Sequence, residues 1–420
     1  MGRTLYTADR VWPGGSFAVL EAGAVLVHGA QIAWVGRAGD VTDDLLGPAE
    51  VRPLGDVTLL PGLIDSHVHL GFDGGAEPVA RMQAESDAEQ LLLMSASARR
   101  LLSVGVTTAR DLGARGYLDV VLRDAIAAGT VRGPRLLTSG APLTVTGGHC
   151  WFMGAECDGE AEVRRMVRTH HKHGVDQLKV MSTGGFMTTG SAPWFAQFTA
   201  EELAAVVDEA HRVGKRVAAH AHGVEGISRS LRAGVDTLEH CTFVHPDGHY
   251  EVVPALVDRI AASGTAVCPT ISARFPRTRE QIPGLADSPE ALVRAGVRLI
   301  AGTDAGIPHT PHHTFPDALQ AMAGIGMTSL QVLSAATTEA ADVLGLAEVT
   351  GRLAPGLDAD LVAVEGDPRT DLAALCRLRL VVARGEPFTP DPLPPYEPPA
   401  DVSPLLQQPS RTAPARATRP

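Results

Sequence analysis

The chain has 420 residues but only five cysteines, Cys150, Cys157, Cys241, Cys268 and Cys376, and none stands at a paired spacing. That scatter excludes a disulfide framework and suits the reduced thiols of a cytoplasmic protein. Positive charge is also in short supply. Lys and Arg number 36 against 48 Asp and Glu, a formal net charge of -12, which argues against nucleic acid or an anionic membrane as partner. No run is long and apolar enough to span a bilayer. The opening MGRTLYTADRVWPGG lacks both the apolar core and the small-residue cleavage pattern of a signal peptide and reads as mature structure.

What the chain does have is a hydrophobic fraction of 45% with 20% charged residues, enough for a soluble protein with a sizeable core. Short alternating runs broken by glycine, such as SFAVLEAGAVLVHGAQIAWVG, occupy the first 59 residues and suggest β-hairpins. The same texture returns in GRLAPGLDADLVAVEGDP and RLRLVVARGEP, so residues 1–59 and 347–386 are expected to form one small β-sandwich domain from both chain ends. Between them, over 60–346, eight strand-like runs alternate with helical ones: LLPGLIDSHVHL, VGVTTARDLG, PRLLTSG, VDQLKVMST, RVAAHAHG, VDTLEH, TAVCPT and VRLIAGTDAG. Eight βα units predict an α/β fold, a (β/α)8 TIM barrel. An open doubly wound sheet is the weaker alternative, because no G-x-G-x-x-G fingerprint follows the first strand. The helical run TAEELAAVVDEAHRVG carries Thr199 placed to cap with Glu202. Residues 387–420 are proline-rich and cannot build a core of their own; they read as a flexible tail or as an arm draped over a neighbouring surface.

Catalytic residues of such barrels sit at the C-terminal ends of strands. The first strand ends in Asp65-Ser66-His67-Val68-His69, with His67 and His69 on one face. Lys179 ends the fourth, His220 the fifth, His240 the sixth and Asp304 the eighth. Alternation puts Lys179 on one face with Val175, Gln177 and Met181, and Leu178 and Val180 on the other. A lone ammonium there is costly unless it is paired, neutralised or modified. Taken singly, each residue has a plainer reading: an H-x-H facing solvent, a hydrogen-bonded histidine, an aspartate capping a turn. Imidazoles and a carboxylate converging from several strands are instead the ligand set of zinc or a similar divalent ion.

That ordered set, carried by PGLIDSHVHL, LKVMSTGG, VAAHAHG, GVDTLEH and AGTDAG, resembles the amidohydrolase superfamily. It is most similar to the branch containing Xaa-Pro dipeptidases of the prolidase type and imidazolonepropionase-related hydrolases. The resemblance implies that His67, His69 and Asp304 bind the more buried of two Zn2+ or other divalent ions, and that His220 and His240 bind the more exposed one. It also implies that a carboxylated Lys179 bridges them. A free ammonium has donors only, whereas the carbamate formed from a neutral amine and carbon dioxide is an anion with two oxygens. The alternative is Lys179 paired with Asp304 around a single metal. Asp304 is the implied general acid and base, and a homo-oligomer is implied as well.

The expected function is hydrolysis of an amide or peptide bond in a dipeptide, an Xaa-Pro-like substrate or an N-acyl amino acid. The alternatives are peptide trimming in a natural-product pathway, ring opening of a cyclic amide or imidazolone, deamination, and a non-catalytic barrel used for assembly. On the substrate side His149 is a candidate for orienting a carbonyl or carboxylate. Arg110 is either a carboxylate anchor or the partner of Asp111 in a structural ion pair. His222 touches substrate or supports its neighbours, and His309 stands on the rim. Phe243 occupies the position where prolidase-like members often have a tyrosine, and a phenyl ring cannot donate that hydrogen bond.

Overall fold

The computed structural model describes residues 2–406. Strands from both ends of the chain join a single eight-stranded sheet, in the order Glu386–Phe388, Leu378–Ala383, Leu361–Glu365, Val57–Pro61, Arg3–Val11, Leu20–His28 and Gln31–Arg37, with Glu50–Pro53 also beside Arg3–Val11. The nine-residue strand Arg3–Val11 explains why hydrogen bonding runs continuously where the sequence pattern suggests a two-sheet sandwich. It pairs with Glu50–Pro53 through Thr4 to Thr7 and with Val57–Pro61 through Arg10 and Val11. Period-two alternation then sorts the side chains. Tyr6, Ala8, Val25 and Val27 enter one buried cluster with Leu59, Leu361 and Val382. Leu5, Ala24 and Leu26 face the other way, against Leu45 and Leu46 of a short helix.

The middle of the chain forms parallel strands with helices between them. One sheet orders Leu63–Val68, Val106–Asp111 and Arg135–Leu137; the other orders Leu178–Met181, Val217–Gly223, Thr237–Val244 and Ala266–Cys268. Single parallel bridges link the pieces, Leu143 to Val180, Leu299 to Val267 and Ala305 to Val68. Seven of the eight expected strands are therefore present, and the eighth survives as the bridged segment around Leu299. The strands that carry the candidate ligands are buried along nearly their whole length, as expected of parallel strands covered on both faces. The helix Ala200–Arg212 starts at the expected capping box of Thr199 and Glu202 and buries Leu203, Val206, Val207 and Ala210 along one stripe.

Among the described residues after Phe388 there is no further strand, and the proline-rich segment up to residue 406 lies as an arm against the rest of the chain. Asp391 accepts from Arg99 at 2.5 and 2.7 Å, and the Tyr396 hydroxyl donates to the carbonyl of His309 at 2.9 Å. Gln281 holds Ala400 and Val402 through its amide at 2.7 and 2.8 Å. Of residues 387–420, those from 407 on lie outside the described residues.

Candidate metal centre

His67 lies near the end of Leu63–Val68, and His69 follows two residues on. Lys179 lies in Leu178–Met181, His220 and His222 in Val217–Gly223, and His240 in Thr237–Val244. Asp304 follows the bridged segment around Leu299. The six expected ligands converge on one spot from these ends. One carboxylate oxygen of Asp304 stands 3.3 Å from Nε2 of His67 and 3.2 Å from Nε2 of His69. Lys179 Nζ is 3.5 Å from the same His67 nitrogen. The rings of His220 and His240 are 4.5 Å apart, and His240 is 5.2 Å from His67. Lys179 points to the centre beside Met181, while Leu178 and Val180 enter the hydrophobic core, as strand alternation requires.

The electrostatics suit cation binding. Burial pushes His67 down to about 4 and both His149 and His222 down to about 3. Burial, helped by the neighbouring histidines, also takes His220 and His240 well below the ordinary range. These are neutral imidazoles with lone pairs to share. Burial alone would raise Asp304, but His67, His69 and Lys179 outweigh it and hold the carboxyl far below its usual range. Burial lowers Lys179 against the opposing pull of Glu239 and Asp304, which favours the neutral amine that carbamate formation needs. Two buried atoms test the fit directly. Asp304 Oδ1 and His69 Nδ1 have no hydrogen-bond partner, although buried polar atoms are almost always satisfied. A carboxylate oxygen flanked by two imidazole nitrogens without a hydrogen bond is a chelating set, and His67, His69 and Asp304 meet the spacing for one ion. His220, His222 and His240 form a second such group.

Supporting contacts aim these rings. His67 Nδ1 meets Glu239 at 2.8 Å, so its Nε2 is the nitrogen turned toward Asp304. His240 Nδ1 meets Thr270 Oγ1 at 2.9 Å, and His222 Nδ1 meets Thr242 Oγ1 at 3.0 Å. His220 Nε2 donates to the carbonyl of Gly184 at 3.0 Å. Such partners fix tautomer and orientation in metal sites. The backbone is strained in the same place, with φ of 71° at His240, 49° at Cys241, 53° at Phe243, 52° at Thr270 and 60° at Asp304. Left-handed conformations are costly for these residues and concentrate at functional sites. Gly185 is required for close approach, because a Cβ there would lie 2.4 Å from His149 Nε2.

The centre opens into a cavity of about 950 Å³ whose outer wall includes Ile271, Phe275 and Leu285 together with Val402, Leu405 and Leu406 of the arm. Two of the five candidate substrate residues line it. His149 lies 4.8 Å from the His220 ring and leaves Nδ1 unpartnered, and His222 stacks on His240 at 4.4 Å. The other three are elsewhere. Arg110 is buried and engaged by Glu239 at 2.8 Å, the Ser66 carbonyl at 2.5 Å and Thr237 at 3.0 Å. It is thus a structural ion pair, but with Glu239 in place of the expected Asp111. Phe243 is fully buried in the hydrophobic core, and His309 meets the arm through its carbonyl. Sequence reasoning missed Glu239, although a carboxylate beside His240 on a buried strand was a usable signal. It also missed Arg274 and the arm's part in the cavity, which no local pattern announces.

The sequence profile of the Amidohydrolase family matches residues 58–387. An ochratoxinase from Aspergillus niger is 32% identical over 414 residues, covering 88% of this chain and 82% of that protein. An imidazolonepropionase from Paracoccus denitrificans is 28% identical over 380 residues, covering 83% and 88%. The crystal structure of a Xaa-Pro dipeptidase with methionine bound in its active site superposes with a TM-score of 0.82 at 30% identity, covering 92% of this chain and all of that one.

Proposed function

The chain belongs to the amidohydrolase family, and from that premise we propose that it hydrolyses the amide bond of an N-acyl amino acid or dipeptide at a pair of divalent cations, zinc being the first choice. We read the two parallel sheets and their single bridges as arcs of one eight-stranded barrel, with the terminal sheet packed as a separate domain. In this reading His67, His69 and Asp304 would hold one cation and His220 and His240 the other, with a carboxylated Lys179 as a further ligand. Such ions supply an ionisable water near neutral pH and polarise the scissile carbonyl.

The remaining work falls to the chain's own groups. Asp304, held as a carboxylate, could take a proton and deliver it to the leaving nitrogen. That transfer matters because an amine is a poor leaving group until it is protonated. His149, beside His220 with a free Nδ1, is positioned to hold the carbonyl oxygen.

The observation that carries this reading is the Asp304 oxygen flanked by two imidazole Nε2 atoms and bonded to neither. The test is to strip the protein with a chelator and restore it with zinc and bicarbonate. Metal content and amino-acid release from a panel of N-acyl amino acids, dipeptides and cyclic amides are then measured. Loss and return of acyclic amide cleavage, with two ions per chain, is expected. Undiminished cleavage by the stripped protein would overturn the metal mechanism, and turnover confined to cyclic amides would overturn the substrate class.

A further inference from the structure

Arg274 stands on the wall of the same cavity, at the end of the loop that follows strand Ala266–Cys268 and immediately before helix Phe275–Gln281. It is half-buried. One terminal nitrogen donates to the carbonyl of Pro308, in the loop after Asp304. Among the described residues no carboxylate lies within ion-pairing distance of it, and its other guanidinium nitrogens have no hydrogen-bond partner. The contrast with Arg110 is informative, since that guanidinium is satisfied by Glu239, Ser66 and Thr237 and has no donor to offer a ligand.

Arg274 shares the cavity wall with Ile271, Phe275, Leu405 and Leu406, and its half-buried guanidinium has lost part of its hydration without gaining an ion-pair partner. That arrangement is unfavourable until an anion arrives. The planar fork of N–H groups matches a carboxylate in two parallel hydrogen bonds, and a low-dielectric wall strengthens them. Burial lowers the guanidinium pKa against the pull of Asp304 and Tyr396, yet an arginine stays charged at any working pH.

We propose that Arg274 binds the free α-carboxylate on the amine half of the substrate, so that the enzyme selects amides of amino acids over amides of uncharged amines. The proposal rests on the hydrolase reading above and specifies its substrate class. With the carboxylate on Arg274, the scissile amide would be presented to Asp304 and the histidines that line the same cavity. Arg274 is therefore a specificity residue and takes no part in proton transfer.

The experiment uses probes that cannot be cleaved. N-(phenylsulfonyl)-L-leucine and its carboxamide are titrated calorimetrically into metal-loaded wild-type protein and into Arg274→Met and Arg274→Lys, alongside kcat/KM for N-benzoyl-L-leucine and its carboxamide. Wild type is expected to favour each acid at least tenfold. Arg274→Met should lose the preference and bind acid and carboxamide alike, and Arg274→Lys should restore part of it. A preference retained in Arg274→Met, or equal losses for both probes as a purely structural role would produce, overturns the proposal. The two readings fail separately. Arg274-dependent binding without cleavage of any amide would sink the hydrolase function alone, whereas cleavage indifferent to Arg274 would sink the carboxylate site alone.

Discussion

Glu239→Gln is the most discriminating perturbation of the centre, because one atom changes and two separable properties should respond. The Glu239 carboxylate is fully buried. One oxygen accepts from Arg110 at 2.8 Å and Thr237 at 2.6 Å, and the other from His67 Nδ1 at 2.8 Å. Burial would raise its pKa, but Arg110 and His67 hold it below the ordinary carboxylate range. Glutamine can satisfy only one side. With its carbonyl toward Arg110 and Thr237, its N–H group meets His67 Nδ1 and forces the ring proton onto Nε2, the nitrogen that faces Asp304 and Lys179. With the amide reversed, two donors oppose each other at Arg110, and in either orientation a guanidinium already out of water loses its counter-charge.

Loss of a buried counter-charge costs about 3–5 kcal/mol in either orientation, and the donor clash adds to that only in the second, so the first orientation should prevail. Stability then falls toward the lower end of that range, and metal affinity falls about 10- to 100-fold, the usual effect of removing a partner that orients a ligand. Chelator competition measures the affinity, and denaturant unfolding of the stripped protein measures stability separately. The double variant Arg110→Met with Glu239→Gln removes the stranded charge and should recover stability without recovering affinity. Wild-type metal affinity in Glu239→Gln would refute the claim that Glu239 sets the His67 tautomer.

Three further outcomes are expected. Lys179→Ala should abolish activity and metal occupancy, with partial recovery on adding a short-chain carboxylate such as propionate; wild-type activity in this variant would make the lysine purely structural. Deleting residues 400–420 removes the arm's share of the cavity wall, Val402, Leu405 and Leu406, so KM for substrates with large apolar groups should rise several-fold while metal content stays unchanged. Glu209, hydrogen-bonded by Arg168 and also by Arg212, has its carboxyl lowered to about 2. Its folded pKa lies below the ordinary 4.5, so its contribution is present above about pH 4.5 and fades as pH falls toward 2. Glu209→Gln should therefore cost about 1 kcal/mol at pH 7, and the gap in denaturant midpoint from wild type should narrow at pH 4.

Much of the centre was legible because its signals are local. A strand places alternate residues on one face and ends where its pattern breaks, so His67, His69, Lys179, His220, His240 and Asp304 could each be assigned to a strand end from nearby residues alone. The same locality exposed Lys179 as a charge in the wrong place. It also located the Thr199 capping box and the terminal strands, since caps and period-two alternation act over a few residues. The eighth strand was harder, because only a single bridge at Leu299 links it to Val267.

What the sequence by itself determined, then, is the order of βα units and the identity of the groups brought to the strand ends, because both follow from backbone periodicity. The tertiary structure decided which partner each group meets. Arg110 could be read as a carboxylate anchor or as the partner of Asp111 until Glu239, 129 positions away, was found beside it, and Arg274, which no sequence pattern singled out, lines the cavity together with apolar residues from distant segments. Phe243 turned into the core, and the proline-rich arm became a cavity wall through contacts with Gln281, His309 and Arg99. Charge pairing and desolvation depend on separations in space between residues far apart in the chain, and those separations exist only once the chain has folded.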